Sequence, residues 1–309
     1  MPVKVQADLP VKEILESENI FVMDETRAVH QDIRPLKIMI LNLMPLKEDT
    51  ELQLLRSLSN TSLQVDVTFL MVASHEAKNT STSHLNTFYV KFEDVRKNYY
   101  DGMIITGAPV EQLAFEEVDY WDELVGIMDY AKKHVHATLY ICWGAQAGLY
   151  HHYGIPKYGL PRKLSGIFSH TINDPTNQLF RGFDDVFHAP HSRHTEVRGE
   201  DIAKIPSLEI LAESDEAGVL VAGTLDGRSM FITGHLEYDR DTLDAEYRRD
   251  VAKGMEIAPP AHYYPGDDAT RPPLVSWRAH AHLFYSNWLN YCVYQATPYR
   301  LDDIPTDRD

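Results

Sequence analysis

A chain of 309 residues, 44% apolar and 24% charged, has the make-up of an ordinary globular protein large enough to bury a full core. Its net charge of −17 argues against a nucleic-acid backbone as partner, which would call for a basic surface. Two cysteines, Cys142 and Cys292, cannot form a disulfide framework and point to a reducing compartment. With no signal-peptide core after Met1 and no membrane-length apolar run, a cytoplasmic protein is expected.

Residues 1–36 mix charges with Pro10 and Pro35 and predict an arm that packs on the body. Residues 37–44 form the first apolar run, closed by Pro45, and residues 47–58 place Leu52, Leu55 and Leu58 at helical spacing. A second strand is predicted over 63–72, a polar loop over 79–83 and a short helix over 92–100. Residues 101–107 predict a third strand with its turn, and residues 120–134 a helix with Leu124, Ile127, Met128 and Ala131 on one face. Strands alternating with helices imply an α/β fold with a doubly wound, mostly parallel sheet flanked by helices. The second half predicts shorter strands over 185–188, 208–212, 218–222 and 229–234, with Asp226-Gly227 marking a hairpin between the last two. A charged helix is expected over 240–255, a proline-rich loop over 259–273 and a long closing helix over 276–294. No linker splits the chain, so residues 37–300 are expected to form one α/β domain, with 301–309 as a tail.

Between the helix over 120–134 and residue 150 lies Ala137-Thr138-Leu139-Tyr140-Ile141-Cys142-Trp143-Gly144-Ala145. It reads as a buried strand, a sharp turn and the start of a helix at Ala145, with a cysteine on the turn, the layout of a nucleophile elbow. Such a turn lifts the thiol above the sheet. Small neighbours admit substrate, and the helix N-terminus favours thiolate. A buried structural cysteine is the plain alternative for this segment alone. Far downstream, the strand over 229–234 runs into His235-Leu236-Glu237. A histidine at that strand end can reach the thiol, and Glu237 can hold its other ring nitrogen. Cys142, His235 and Glu237 are therefore the candidate nucleophile, base and orienting acid.

The histidine groups His188, His191 and His194, His134 with His136, and His280 with His282 lack the converging ligand sets of a metal centre, so no metal is expected. Gly107-Ala108-Pro109 follows a predicted strand and belongs at the sheet's ligand-binding edge. No glycine-rich dinucleotide or triphosphate motif is present.

Cys142-Trp143-Gly144-Ala145-Gln146 with His235-x-Glu237 resembles the class I glutamine amidotransferase superfamily and implies its fold. The likeness departs at Tyr140, where that superfamily usually has glycine, and at Leu236, where it usually has proline. Along nearly its full length the chain resembles the homoserine O-acyltransferases of methionine biosynthesis. The stretches that carry this are residues 38–47, Thr106-Gly107-Ala108-Pro109, the elbow, Tyr153-Gly154-Ile155-Pro156-Lys157 and Ala189-Pro190-His191-Ser192-Arg193. The resemblance implies that Cys142 carries the acyl-thioester, with His235 as base and Glu237 as its partner. It also implies that Lys47 stands close to the active centre, that Lys163, Ser192 and Arg249 contact substrate, and that Glu111 governs acyl-donor choice. L-Homoserine and acetyl-CoA are the implied substrates, with acetyl-CoA a co-substrate and no other cofactor, and a homodimer is the implied assembly.

On this reading Cys142 attacks the thioester carbonyl, and the N–H groups of Trp143 and of the Gly107-Ala108 turn hold the oxyanion; Pro109 has none to offer. Lys163 and Arg249 supply cations for the amino-acid carboxylate or the coenzyme phosphates, and the sequence does not apportion them. Glutamate at position 111 points to the acetyl donor, with O-succinyl transfer as the alternative. A glutamine-hydrolysing enzyme and a non-catalytic binding module are the rival functions.

Overall fold

The computed structural model describes residues 3–4, 6, 8–17, 22–23, 34–75, 79–298, 301 and 304; the remainder of the expected arm and tail lies outside the described residues. Leu301 and Ile304 stand for the tail, and Ile304 is buried.

The arm contributes β1 (Val3–Lys4), helix α1 (Val11–Ser17) and β2 (Val22–Met23), and Leu9, Val11 and Leu15 are core residues. Then come β3 (Leu36–Leu41), α2 (Lys47–Leu58), β4 (Val65–Met71), α3 (Thr82–Phe88), β5 (Tyr89–Lys91) and α4 (Phe92–Val95). They are followed by β6 (Tyr100–Ile105), α5 (Trp121–His134), β7 (Val135–Ile141) and α6 (Trp143–Tyr153). The helix expected over 92–100 is thus a single turn, and Tyr100 begins a strand buried along its whole length.

The strand order β2-β1-β4-β3-β6-β7-β12-β11-β10-β8-β9 divides into a parallel half, up to β12, and an antiparallel half beyond it. Chain reversal between β3 and β6 puts the crevice of the sheet at the C-terminal ends of these strands. The central strands β3, β6 and β7 are covered on both faces and read as largely apolar runs, whereas β4 stays partly exposed from Asp66 to Thr68. Ile38 and Ile40 of β3 pack with Leu54, Leu55 and Leu58 of α2 on one face. Met39 and Leu41 pack with Leu124, Ile127 and Met128 of α5 on the other.

The antiparallel half differs most from expectation. β8 (Tyr158–Ile172) is 15 residues long where no strand was predicted, and β9 (Val186–Glu196) extends far past the predicted stop at 188. β8 escapes notice because it carries Gly159, Pro161 and Gly166; the register shift between Gly159 and Leu164 accommodates the proline outside the ladder. After the single turn α7 (Gly199–Ile202) come β10 (Leu208–Ser214), β11 (Gly218–Thr224) and β12 (Ser229–Ile232), with Gly227 at φ +71° in the expected hairpin turn. Helix α8 (Thr242–Ala252) is shorter than predicted, and Gly254 at φ +76° lies just past its end. The closing helix is α9 (Arg278–Asn287) followed by a π-helical segment (Trp288–Tyr294) rather than one uniform helix. No helix of the described residues is long and apolar enough to cross a membrane.

Candidate active site

Cys142 follows β7 directly and precedes α6, with φ 52° and ψ −116°. A non-glycine residue in that region stores roughly 1–3 kcal/mol of strain, which the surroundings must offset. They do so with a 2.6 Å bond from the Cys142 N–H to the Ile232 carbonyl and with close glycine contacts. A Cβ on Gly144 would lie 2.6 Å from the Thr106 carbonyl oxygen, and one on Gly148 would lie 2.9 Å from the rings of Tyr140 and Phe231. Helix α6 therefore lies hard against the neighbouring strands, and its first turn sits under the thiol. The helix begins at Trp143 rather than Ala145, so Cys142 itself is the N-cap position.

His235, three residues past β12, is 3% exposed. Its backbone N–H donates to the Pro190 carbonyl on β9 at 2.8 Å, and its Nδ1 meets Glu237 Oε1 at 2.7 Å. That contact leaves Nε2 for the sulfur of Cys142, its second hydrogen-bond partner. The Tyr238 ring stacks on the imidazole at 4.0 Å between centroids and 15° between planes, fixing its tilt. Burial pulls His235 toward the neutral form. The charges of Cys142 and then Glu237, with hydrogen bonds to both, outweigh it and hold the imidazole well above its ordinary value. Cys142, His235 and Glu237 thus come together as a buried line of sulfur, imidazole and carboxyl.

The thiol and His235 open into a cleft of about 440 Å³. Gly107, Ala108, Pro109, Glu111 and its neighbour His194 line one part of it, and Lys163, Ser192, Glu246, Arg249 and Asp250, joined to one another, form another part of its wall. Of the residues singled out in the sequence, Lys163, Ser192, Arg249 and Glu111 all reach this cleft. Lys47 does not line it. Its Nζ lies one layer behind, donating to the Asn42 carbonyl at 2.6 Å beneath the loop whose Met44 and Pro45 form the cleft wall. Burial pushes Lys47 down to about 8, against the opposing charge of Glu51.

Glu246, Asp250, Tyr238 and Arg193 were not visible in the sequence. Lys163 Nζ pairs with Glu246 at 3.3 Å and Asp250 at 3.1 Å, and Arg249 Nε donates to Asp250 at 2.8 Å. Ser192 Oγ and the Tyr238 hydroxyl both donate to the Glu246 carboxylate. Two carboxylates and two cations thus alternate along that wall. The one available signal was the i, i+3 and i, i+4 spacing of Glu246, Arg249 and Asp250 on a predicted helix, a pattern that ordinary solvated helices share. Arg193, 1% exposed, donates to the Thr195 and Ala217 carbonyls. Burial lowers its pKa, opposed most by the charge of Cys142.

Glu111 Oε2 accepts the His194 N–H at 2.8 Å. Cys292 sits on the π-helical segment, where burial raises its thiol to about 12. The histidine groups named from sequence gather no set of three ligands. Among the described residues only Asp129, His151 and His152 bring three metal-capable atoms within 4.8 Å of one another, outside the cleft.

The sequence profile described as homoserine O-succinyltransferase matches residues 2–299. A homoserine O-acetyltransferase of Lachnoclostridium phytofermentans is 64% identical over 301 residues, spanning 97% of this chain and 100% of that protein. One of Agathobacter rectalis is 62% identical over 97% of this chain and 96% of its own length, and one of Brevibacillus brevis is 61% identical over 98% and 99%. Among solved structures, a glutamine amidotransferase of Thermotoga maritima superposes with a TM-score of 0.55 at 10% identity, covering 85% of this chain and 100% of that one. The protein SMU.1228c gives 0.57 at 14% identity, covering 83% and 99%. These two establish a class I glutamine amidotransferase-like fold.

Proposed function

The chain belongs to the homoserine O-succinyltransferase family, and from that premise we propose that it is a homoserine O-acetyltransferase working through an acyl-thioester on Cys142. The full-length likeness to proteins named homoserine O-acetyltransferase carries the substrates, and the buried Cys142–His235–Glu237 line carries the chemistry.

The Cys142 thiolate attacks the thioester carbonyl of acetyl-CoA. The N–H groups of Trp143 and of the Gly107-Ala108 turn stabilise the tetrahedral oxyanion, each such donor typically worth roughly 3–4 kcal/mol. The intermediate collapses, the coenzyme leaves with the proton of the His235 imidazolium, and the acetyl group remains on sulfur. The neutral imidazole then takes the hydroxyl proton of homoserine as that oxygen attacks the acyl-thioester. O-Acetylhomoserine departs, and thiolate and imidazolium are restored. Glu237 keeps its charge throughout and fixes the ring.

The alternating carboxylates and cations of the far wall suit a zwitterionic amino acid. Glu246 is placed to receive an ammonium group, and Lys163 with Arg249 a carboxylate. Ser192 joins this acceptor site through its bond to Glu246. Lys47 acts from behind by holding the Asn42 carbonyl, and so the loop that carries Met44 and Pro45.

Glu111 selects the donor. A succinyl group ends in a carboxylate, and two like charges about 4 Å apart repel by roughly 1 kcal/mol in water and 4 at an effective dielectric of 20. The acetyl group carries no charge. Purified protein given homoserine with acetyl-CoA and succinyl-CoA in parallel tests this reading. Acetyl transfer should dominate, and Glu111→Gly should gain succinyl transfer; a wild-type preference for succinyl-CoA overturns it. The expected homodimer belongs to the same proposal, and light scattering in solution tests it.

A further inference from the structure

The loop after β6 carries Gly107 against Cys142, with Glu111 and Leu113 further along on the cleft wall, all outside regular secondary structure. A segment of that kind holds a defined shape only if its backbone polar groups are satisfied from elsewhere. Here the satisfying group comes from far along the chain. Lys157, between α6 and β8, donates its Nζ to the Glu111 carbonyl at 2.5 Å and to the Leu113 carbonyl at 2.5 Å. Its ammonium also lies 4.5 Å from the centroid of the Phe115 ring. That ring stacks on Trp121 at 5.2 Å and on Tyr150 at 4.6 Å, tying the far end of the loop to α5 and α6. Lys157 is itself absent from the cleft lining.

Glu111 is gripped at both ends. Its carbonyl belongs to the Lys157 clamp, while its carboxylate accepts the His194 N–H at 2.8 Å and lies 3.4 Å from the Thr195 hydroxyl. Thr195 has the better partner in Gln146 Oε1 at 2.8 Å, which links this corner to the elbow helix. The carboxylate stays in place only while the main chain beneath it does.

We infer that Lys157 is a positioning residue for acyl-donor choice: by holding the carbonyls of Glu111 and Leu113 it keeps the Glu111 carboxylate facing the acyl end of the cleft. The inference rests on Glu111 as the donor-selecting residue. Removing the ammonium leaves the part-buried Glu111 carbonyl without its charged donor and frees the exposed Leu113 carbonyl to turn to water, so the loop moves. A guanidinium, with several N–H groups in one plane, can reach both carbonyls again.

The test measures kcat/KM for acetyl-CoA and for succinyl-CoA, at saturating homoserine, in wild type, Lys157→Met, Lys157→Arg and Glu111→Gly. In Lys157→Met the acetyl-to-succinyl ratio should fall by about tenfold or more, while Lys157→Arg should stay within about threefold of wild type. A lysine that only stabilised the fold would lower both donors' rates together and leave the ratio unchanged. That result, in variants that melt as wild type does, overturns the inference. Should Lys157→Met not fold, Lys157→Leu carries the same comparison, since it too removes every N–H donor at that position. Glu111→Gly separates this inference from the reading beneath it. If that variant leaves the ratio unchanged, Glu111 does not select the donor; if it shifts the ratio and the lysine variants do not, only the role of Lys157 falls.

Discussion

On one side of the cleft, Cys142 and His235 leave neighbouring parallel strands, one residue beyond β7 and three beyond β12. On the other, Lys163, Ser192, Glu246 and Arg249 come from β8, β9 and α8, joined by ion pairs and side-chain hydrogen bonds. The first side is placed by backbone: the Cys142 N–H bonds to the β12 carbonyl of Ile232, and the His235 N–H bonds to Pro190 of β9. The second is placed by side chains holding one another. Reacting atoms tolerate little error, and strand ends supply the rigidity they need. A wall made of ion pairs can open those pairs to take up a charged substrate and close them when it leaves.

That contrast predicts a division of labour, and the largest effect belongs to the backbone-held side. Cys142→Ala should abolish acetyl transfer in folded protein, whereas Cys292→Ala should keep most of it; equal loss in both would remove the distinction. His235→Asn should cost nearly as much as Cys142→Ala. Glu237→Ala should retain more, because Glu237 only orients and stabilises. Wild-type kinetics in Glu237→Ala would take it out of the line.

On the ion-paired side, Glu246→Gln and Arg249→Met should act on the acceptor alone. The expected signature is a rise of about ten- to a hundredfold in the KM for homoserine, with release of coenzyme A in the first half-reaction near wild type. If either variant slows the first half-reaction as much as the second, the two sides do not divide as drawn.

How much of this was visible in the sequence follows the same line. Parallel strands buried on both faces read as unbroken apolar runs, so β3, β6 and β7 were placed to within a few residues, and the residues just past their ends were found with them. β8 left no such trace, and β9 was read only as far as residue 188. Pro161 sits where the register slips, and Pro190 interrupts β9 with a residue that has no N–H, so the rules that find strands stop there. Glu246 escaped because its role depends on Lys163 and Ser192, which are 83 and 54 residues away in sequence. Lys47 was placed near the centre only by resemblance, and the structure sets it behind the wall.

The smallest effect is thermodynamic and concerns Lys47. Its folded pKa of about 8 lies below the ordinary 10.5, so between those values the unfolded chain binds more protons than the folded one. Stability therefore rises with pH through that window, by roughly 1.4 kcal/mol for each pH unit crossed. Wild type should gain stability relative to Lys47→Met as pH goes from 8 to 10.5, followed by denaturant midpoints at each pH. A gap that stays constant would mean that the ammonium carries no burial cost.

On the proposed mechanism an acetyl group rests on Cys142 between two half-reactions. Incubating the protein with acetyl-CoA alone and reading its intact mass and peptide map tests this most directly. One added acetyl group should appear, mapped to Cys142, absent in Cys142→Ala, and discharged as O-acetylhomoserine when homoserine is added. Acetylation that maps elsewhere, or an adduct on Cys142 that homoserine does not remove, would contradict it.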